Sequence, residues 1–364
     1  MTPVELDRAI RRLIESLEPG ARILRIEPLA PDQSLVDETG KLTGYGAPLR
    51  IELETVRRTR RSVVLRTATA NDFGHDRRSD RAQGILLSFD TFGQMPGHVR
   101  PIDVGAIDGS GRLISLKEAG EFYLLTTWTD GALYVDDLRR IAHDGVAQPQ
   151  DLARADVLAR YLVELHQTPG DRPAGYLRAI RDLLGHGEGI FGMVDGYGPD
   201  VPGAPPERLH AIERRCFEWR WRLRSRTARL RRTHGDFHPF NVVFHEGIAF
   251  TLLDASRGGQ GDPADDVTAM AINYVFFALE HAHAWKNGLA PLWRRFWRTY
   301  LDGSGDGELL DVVAPFFAWR GLVLANPSFY PALPARDRDR LLGLVERTLD
   351  APRFDPASVE ELFA

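Results

Sequence analysis

Cysteine is nearly missing from this chain: Cys216 is the only one. A lone thiol cannot close an internal disulfide and gives a thiolate metal cage no second ligand, so a reducing compartment is expected. An excess of positive charge is missing as well. The formal net charge is -5, which gives no general reason to expect nucleic acid as a partner and turns attention to small molecules. Long apolar runs are also lacking. The longest, AMAINYVFFAL at 269–279, falls well short of the roughly 20 residues that cross a bilayer. The opening segment, MTPVELDRAIRRLIESLEP, is amphipathic and carries acids without an apolar stretch and small-residue cleavage site. No secretion signal and no membrane partner are therefore expected, and the cytoplasm is the expected location.

What is present suits a globular protein of two parts. At 364 residues and 43% apolar composition the chain can build a sizeable core. Between 21 and 129, ARILRIEPL, PLRIELETV, SVVLRTAT, VRPIDVGAI and EFYLLTTW read as short strands separated by Gly, Asp and Pro turns. One helix is predicted over 76–92, where Ala82, Ile85, Leu86 and Phe89 recur at helical spacing. Beyond TDGALYVDDL the pattern turns helical, in DVLARYLVELHQ, ERLHAIERRCFEWRWRLR, PLWRRFWRTYL and LLDVVAPFFAWRGLVLA, broken only over 229–257. The expectation is an α+β protein: an antiparallel sheet lobe over 1–128, a larger helical lobe over 129–364, and TTWTDG as the joint.

The chemistry concentrates in the break. HGDFHPFN at 234–241 holds Gly235 and Pro239, which make it a poor helix, and the following VVF reads as a short strand. Asp236 is followed five residues later by Asn241, and Asp254 comes after the strand pair NVVF and AFTLL turns at HEG. Phosphoryl transfer needs such a set: a carboxylate to orient the attacking hydroxyl and take its proton, and an amide oxygen with a second carboxylate to hold Mg²⁺ across nucleotide phosphates. Zinc competes on paper, because His234, His238 and His245 are close in sequence. Gly235 and Pro239 rule out helical i, i+4 geometry, and neither cysteine nor an HExxH pattern supports that metal.

The H-x-D-x-x-x-x-N spacing of HGDFHPFN, the LLD of TLLDASRGG, the GDPADDV beyond it and LVELHQTP at 162–169 together resemble the aminoglycoside phosphotransferase and choline kinase group, over roughly 20–300. The resemblance implies a two-lobed protein-kinase-like fold. It implies Asp236 as the catalytic base, Asn241 and Asp254 as the magnesium ligands, and Asp266 as a brace of the catalytic loop, with His234 ordering that loop. A phosphate-gripping cation belongs on the third strand, where VVLR offers Arg66, a residue able to hold phosphate oxygens with two parallel bonds; an exposed edge-strand Arg is the plainer reading. Asp80 is its best helix partner. Gly40, Gly44 and Gly46 supply a glycine-rich turn that suits either a phosphate-covering loop or an ordinary hairpin. Backbone groups of Thr127 to Thr129 are expected to meet the adenine, with Trp128 covering it or filling core space.

On the acceptor side Asp265, Glu280, His281 and His283 form a mildly acidic set suited to a cationic amine, or a solvated helix face. Arg257 points the other way, to an anionic acceptor or the transferred phosphate. The basic run RRCFEWRWRLRSRTARLRR reads as a solvated helix with Trp219 and Trp221 packed inward. The expected activity is an ATP-dependent (GTP possible), Mg²⁺-dependent transfer of a γ-phosphoryl group to a hydroxylated small molecule. The alternatives are an inactive nucleotide-binding regulator with this fold, or a protein kinase. The oligomeric state is left open.

Overall fold

The computed structural model describes residues 3–29, 48–255 and 257–364. The chain divides into two compact units, Met1–Thr126 and Thr127–Ala364. In the first, helix α1 (Pro3–Leu17) carries Ile10 and Ile14 on one face, four residues apart, and that face is buried with Ile51 and Leu53. The last two belong to a three-stranded antiparallel sheet, β1 (Arg22–Pro28), β2 (Leu49–Glu54) and β3 (Arg60–Leu65), with β2 in the middle and Ile51 opposite both Ile26 and Val63. The three runs predicted here do form strands. Helix α2 (Arg78–Phe92) also forms where its spacing predicted, although none of its residues is buried.

Two expectations in this part need correction. VRPIDVGAI yields only β4 (Gly105–Ile107), paired with the unforeseen β5 (Leu113–Ser115). EFYLLTTW forms no strand at all. Its Tyr123, Leu124 and Leu125 lie in solvent, as does Trp128, which is 86% exposed, so Trp128 fills no core space. Strand propensity describes side chains that suit a pleated surface, and it yields a strand only where a neighbouring backbone pairs with it.

The second unit begins with β6 (Ala132–Leu133) and runs through α3 (Tyr134–Asp144), α4 (Pro149–Leu165), α5 (Pro173–Gly185), α6 (Ile190–Asp195) and α7 (Pro206–Leu223). The break then supplies β7 (Arg231–Arg232), β8 (Val242–Phe244), β9 (Phe250–Leu252) and β10 (Gln260–Gly261). Four helices close the unit: α8 (Pro263–Leu279), α9 (Ala290–Ser304), α10 (Ala314–Ala325) and α11 (Ala335–Asp350). The apolar run AMAINYVFFAL lies in α8, which is buried on nearly every side against α9 and α10. No helix among the described residues is long and apolar enough to cross a membrane. Trp293, Phe296, Phe317 and Tyr274 fill the core around it. Cys216 is buried there too, and burial pushes its thiol up. Of the two tryptophans in the basic run, Trp219 packs inward, whereas Trp221 is 55% exposed and flanked by the guanidinium groups of Arg220 and Arg224. Two positions apart on a helix means about 200° of rotation, so the pair cannot share one face.

Strand β8 lies between β6 and β9, all antiparallel, with Val243 opposite Leu133 and Val242 opposite Leu252. A Cβ on Gly131, which has φ 145°, would collide with the Phe244 carbonyl, so glycine lets β6 approach β8. The start of α8 is fixed by a buried ion network. Asp262 caps the helix by accepting from the Ala264 N–H at 3.0 Å, and its two oxygens take both Nε (2.8 Å) and Nη2 (2.9 Å) of Arg229. Arg229 also donates to both oxygens of Asp306, at 2.8 and 2.9 Å. Removing one partner from such a pair strands a buried charge. We therefore expect Arg229→Leu to lower unfolding stability by about 3–5 kcal/mol, read from urea denaturation; a loss of under about 1 kcal/mol would show that the network does not hold the start of α8.

Candidate active site

HGDFHPFN adopts an irregular loop ending in a single 3-10 turn, Pro239–Asn241. Pro239 opens that turn and His238 caps it, its Nδ1 accepting from the Phe240 N–H at 3.2 Å. Gly235 sits at φ 81°, a left-handed backbone that disfavours side chains, and a Cβ there would also press on Arg257. The loop is suspended from α8. Asp266, fully buried in the first turn of that helix, accepts from the backbone N–H of His234 at 2.7 Å and of Gly235 at 2.8 Å. His166, just past the end of α4, approaches the same carboxylate through Nε2 at 3.2 Å, and its Nδ1 lies 2.7 Å from the Tyr300 hydroxyl. The His234 ring stays in the loop, where Nδ1 accepts from the Asp236 N–H at 3.3 Å.

Asp236 and Asn241 meet across the loop. Asn241 Nδ2 donates to the Asp236 carbonyl at 3.0 Å and to Oδ2 of its carboxylate at 3.3 Å. These bonds use Nδ2 and leave the carbonyl oxygen Oδ1 as the group able to ligate a cation. Asp254 comes back beside them through the β8–β9 pair, because the Leu253 N–H donates to the Asn241 carbonyl at 2.9 Å and Asp254 follows directly. Asp254 is exposed and holds a left-handed φ of 50°, a conformation that aspartate and asparagine tolerate better than most side chains. Among the described residues no group of three or more His, Cys, Asp or Glu side chains could hold a metal ion. Two oxygens from Asn241 and Asp254 nevertheless suit magnesium, which keeps several waters and is completed by substrate phosphates.

The sequence reading missed Arg320. This residue on α10 is buried, and it donates from Nη1 to Asp236 Oδ1 at 2.6 Å and from Nη2 to both Asp265 Oδ1 (2.7 Å) and the Gly235 carbonyl (3.0 Å). Its guanidinium carbon lies 3.9 Å from the centre of the Trp319 ring, and that of Arg257 lies 4.5 Å from the same ring. Arg257 brings its Nε to 3.9 Å from Asp236 Oδ1 and its Nη1 to 3.5 Å from Glu188. A signal was present: APFFAWRGLVLA is an apolar helix with one charge in it, and a charge so placed needs a partner.

These charges set the two acids apart. Burial alone would raise the Asp236 carboxyl, but the hydrogen bond from His238 and the positive charges of Arg320 and Arg257 outweigh it and hold Asp236 well below the usual carboxylate range. For Asp265, burial prevails over the attraction of Arg320 and, with repulsion from Asp266, pushes the carboxyl up to about 6.

Other expected residues lie elsewhere. Glu280 closes the far end of α8, exposed, as are His281 and His283. Fifteen residues separate Glu280 from Asp265, about 22 Å at 1.5 Å per residue, too far for a small acceptor held at Asp236 to touch both. Arg66 follows the last residue of β3 and is exposed, and Asp80 caps α2 by accepting from the Arg77 N–H at 2.8 Å. Thr127 to Thr129 lie in irregular chain, where Trp128 Nε1 donates to Asp130 at 2.8 Å. Gly40, Gly44 and Gly46 lie outside the described residues.

Among solved structures, the chain is similar to a glucosamine kinase, at 16% identity over 96% of each chain with a TM-score of 0.41. It is also similar to a choline/ethanolamine kinase family protein from Mesorhizobium loti, at 14% identity over 98% of this chain and 99% of that one, TM-score 0.38. A macrolide 2'-phosphotransferase from Brachybacterium faecium gives 15% identity over 97% and 100%, TM-score 0.31. No curated protein sequence matches the chain.

Asparagine at position 265 tests the pushed-up carboxyl. A raised folded-state pKa contributes stability that is complete below the unfolded value, near about 4, and lost as pH rises through about 6. The melting temperature of the wild type minus that of Asp265→Asn is therefore expected to fall between those two pH values; a difference that is flat or rises with pH contradicts the assignment. The profile of the APH phosphotransferase enzyme family matches residues 53–310, more than half of the sequence, and the chain belongs to that family.

Proposed function

We propose that this protein is an ATP- and Mg²⁺-dependent phosphotransferase that moves the γ-phosphoryl group to a hydroxyl of a small molecule. The observation that carries the proposal is the backbone pairing that returns the chain at Asp254 to the end of the loop in which Asn241 bonds Asp236: Asp254 stands one residue beyond the bond from the Leu253 N–H to the Asn241 carbonyl. Membership of the phosphotransferase enzyme family supports the same reaction class.

Asp236 orients the acceptor hydroxyl. A bond forms between the acceptor oxygen and the γ-phosphorus while the bond from that phosphorus to the β,γ-bridging oxygen breaks, and ADP leaves with the bridging oxygen. The hydroxyl proton passes to the Asp236 carboxylate as the new bond forms. A carboxylate held so far below its usual range is a weak base at rest, so its main work before transfer is to aim the hydroxyl. Asn241 Oδ1 and the Asp254 carboxylate are the proposed magnesium ligands; a bound ion there would neutralise charge on the phosphate oxygens. Arg257, 3.9 Å from Asp236 and with its Nε unbonded, is the proposed contact for the transferred group. Asp265 is already paired with Arg320, which argues against its serving as a free counter-charge for a cationic acceptor. For Arg66 the proposed role, a phosphate contact, rests on its residue type and its place at the end of β3.

Asp236→Asn keeps the side chain's size and removes its charge. Phosphoryl transfer from radiolabelled ATP to a panel of sugars, amino alcohols and aminoglycosides is expected to fall about 10²–10⁴-fold, while nucleotide affinity by calorimetry stays near that of the wild type. Full turnover in the variant would remove Asp236 from the reaction.

A further inference from the structure

Arg320 does more than fill a buried site with a paired charge. Its two Nη groups divide their work: Nη1 holds Asp236 Oδ1 at 2.6 Å, while Nη2 bridges the Gly235 carbonyl and Asp265 on α8. The other oxygen of Asp236, Oδ2, has only looser contacts, with His238 Nε2 and Asn241 Nδ2, both at 3.3 Å. The two carboxylate oxygens are therefore not equivalent. Building on the phosphotransferase reading, we propose that Arg320, pinned by Asp265, is the positioning residue that immobilises Asp236 through Oδ1 and presents Oδ2 to the acceptor hydroxyl.

The surroundings of Arg320 fit that task. Its guanidinium carbon lies over the ring of Trp319, whose Nε1 donates to the Glu188 carbonyl at 2.7 Å, so the surface beneath it is itself tied down. The next residue, Gly321, faces Val345 of α11 so closely that a Cβ would run into that side chain. Helix α10 is thus seated against α11 at the turn that carries Arg320. A guanidinium fork can hold two acceptors at once in a fixed plane, which a lysine ammonium cannot reproduce. The charged groups around Asp236 are Arg320 from α10, Arg257 from the chain after β9 and His238 from its own loop; Asp265 from α8 and Glu188 from the loop before α6 reach it only through the two arginines.

Two kinds of measurement test this. In kinetics, Arg320→Lys keeps the charge and loses the fork, so kcat is expected to fall about 100-fold with little change in the KM for ATP; Asp265→Asn, which unpins Arg320, is expected to act in the same direction more weakly. Wild-type kcat in Arg320→Lys overturns the proposal while leaving the phosphotransferase reading intact. The second measurement needs no activity. Crystal structures of Arg320→Lys and Asp265→Asn are expected to show the Asp236 carboxylate turned away from its wild-type orientation, further in the first than in the second. An Asp236 carboxylate that keeps its wild-type place in either folded variant, with the contact to Oδ1 lost, overturns the proposal. Should the wild type phosphorylate no acceptor, the reading of function falls, and the orientation of Asp236 in the variants still decides what Arg320 does to it.

Discussion

A carboxylate with no access to water organises the site. Asp266 is fully buried, a position that would be prohibitive for an unpaired charge. Its oxygens are taken by two consecutive backbone N–H groups of the loop and approached by His166. Because these donors belong to His234 and Gly235, the backbone leading into Asp236 takes its orientation from α8. The helix is in turn anchored at its first residues by Asp262 and Arg229. A loop with little secondary structure thereby gains the rigidity of the helical core behind it, which catalytic geometry requires.

The same few charges give two neighbouring acids opposite characters. Asp236 accepts from Arg320 and His238 and is held low, while Asp265, beside Asp266, is pushed up although it shares the same arginine. Environments that push paired acids apart are a feature of functional sites as well as of structural ion networks. In this chain the low member is the one that stands beside Asn241 and the β8–β9 hairpin.

What could be read from the sequence was local. HGDFHPFN announced a loop through Gly235 and Pro239, and HEG announced a turn between two short strands. Each signal spans a few residues, and each element formed. The failures came where structure depends on distant partners. EFYLLTTW has the residues of a strand and gained no neighbour, and Glu280 was grouped with Asp265 although a whole helix separates them. Trp221 was assigned inward with Trp219, yet the turn of the helix sends it to solvent. Arg320 was passed over because it comes 84 positions after Asp236, and nothing in a linear pattern says which buried acid a buried arginine will find.

That separation limits what could be transplanted. The family match ends at residue 310, and Arg320 lies past its boundary on a helix of the closing bundle. An engineer who moved the loop and its hairpin onto another scaffold would carry over Asp236, Asn241 and Asp254 without the cation that restrains the first of them. The smallest portable module of this chemistry is a loop together with the start of one helix and the middle of another, the second carrying a residue 84 positions further along the chain.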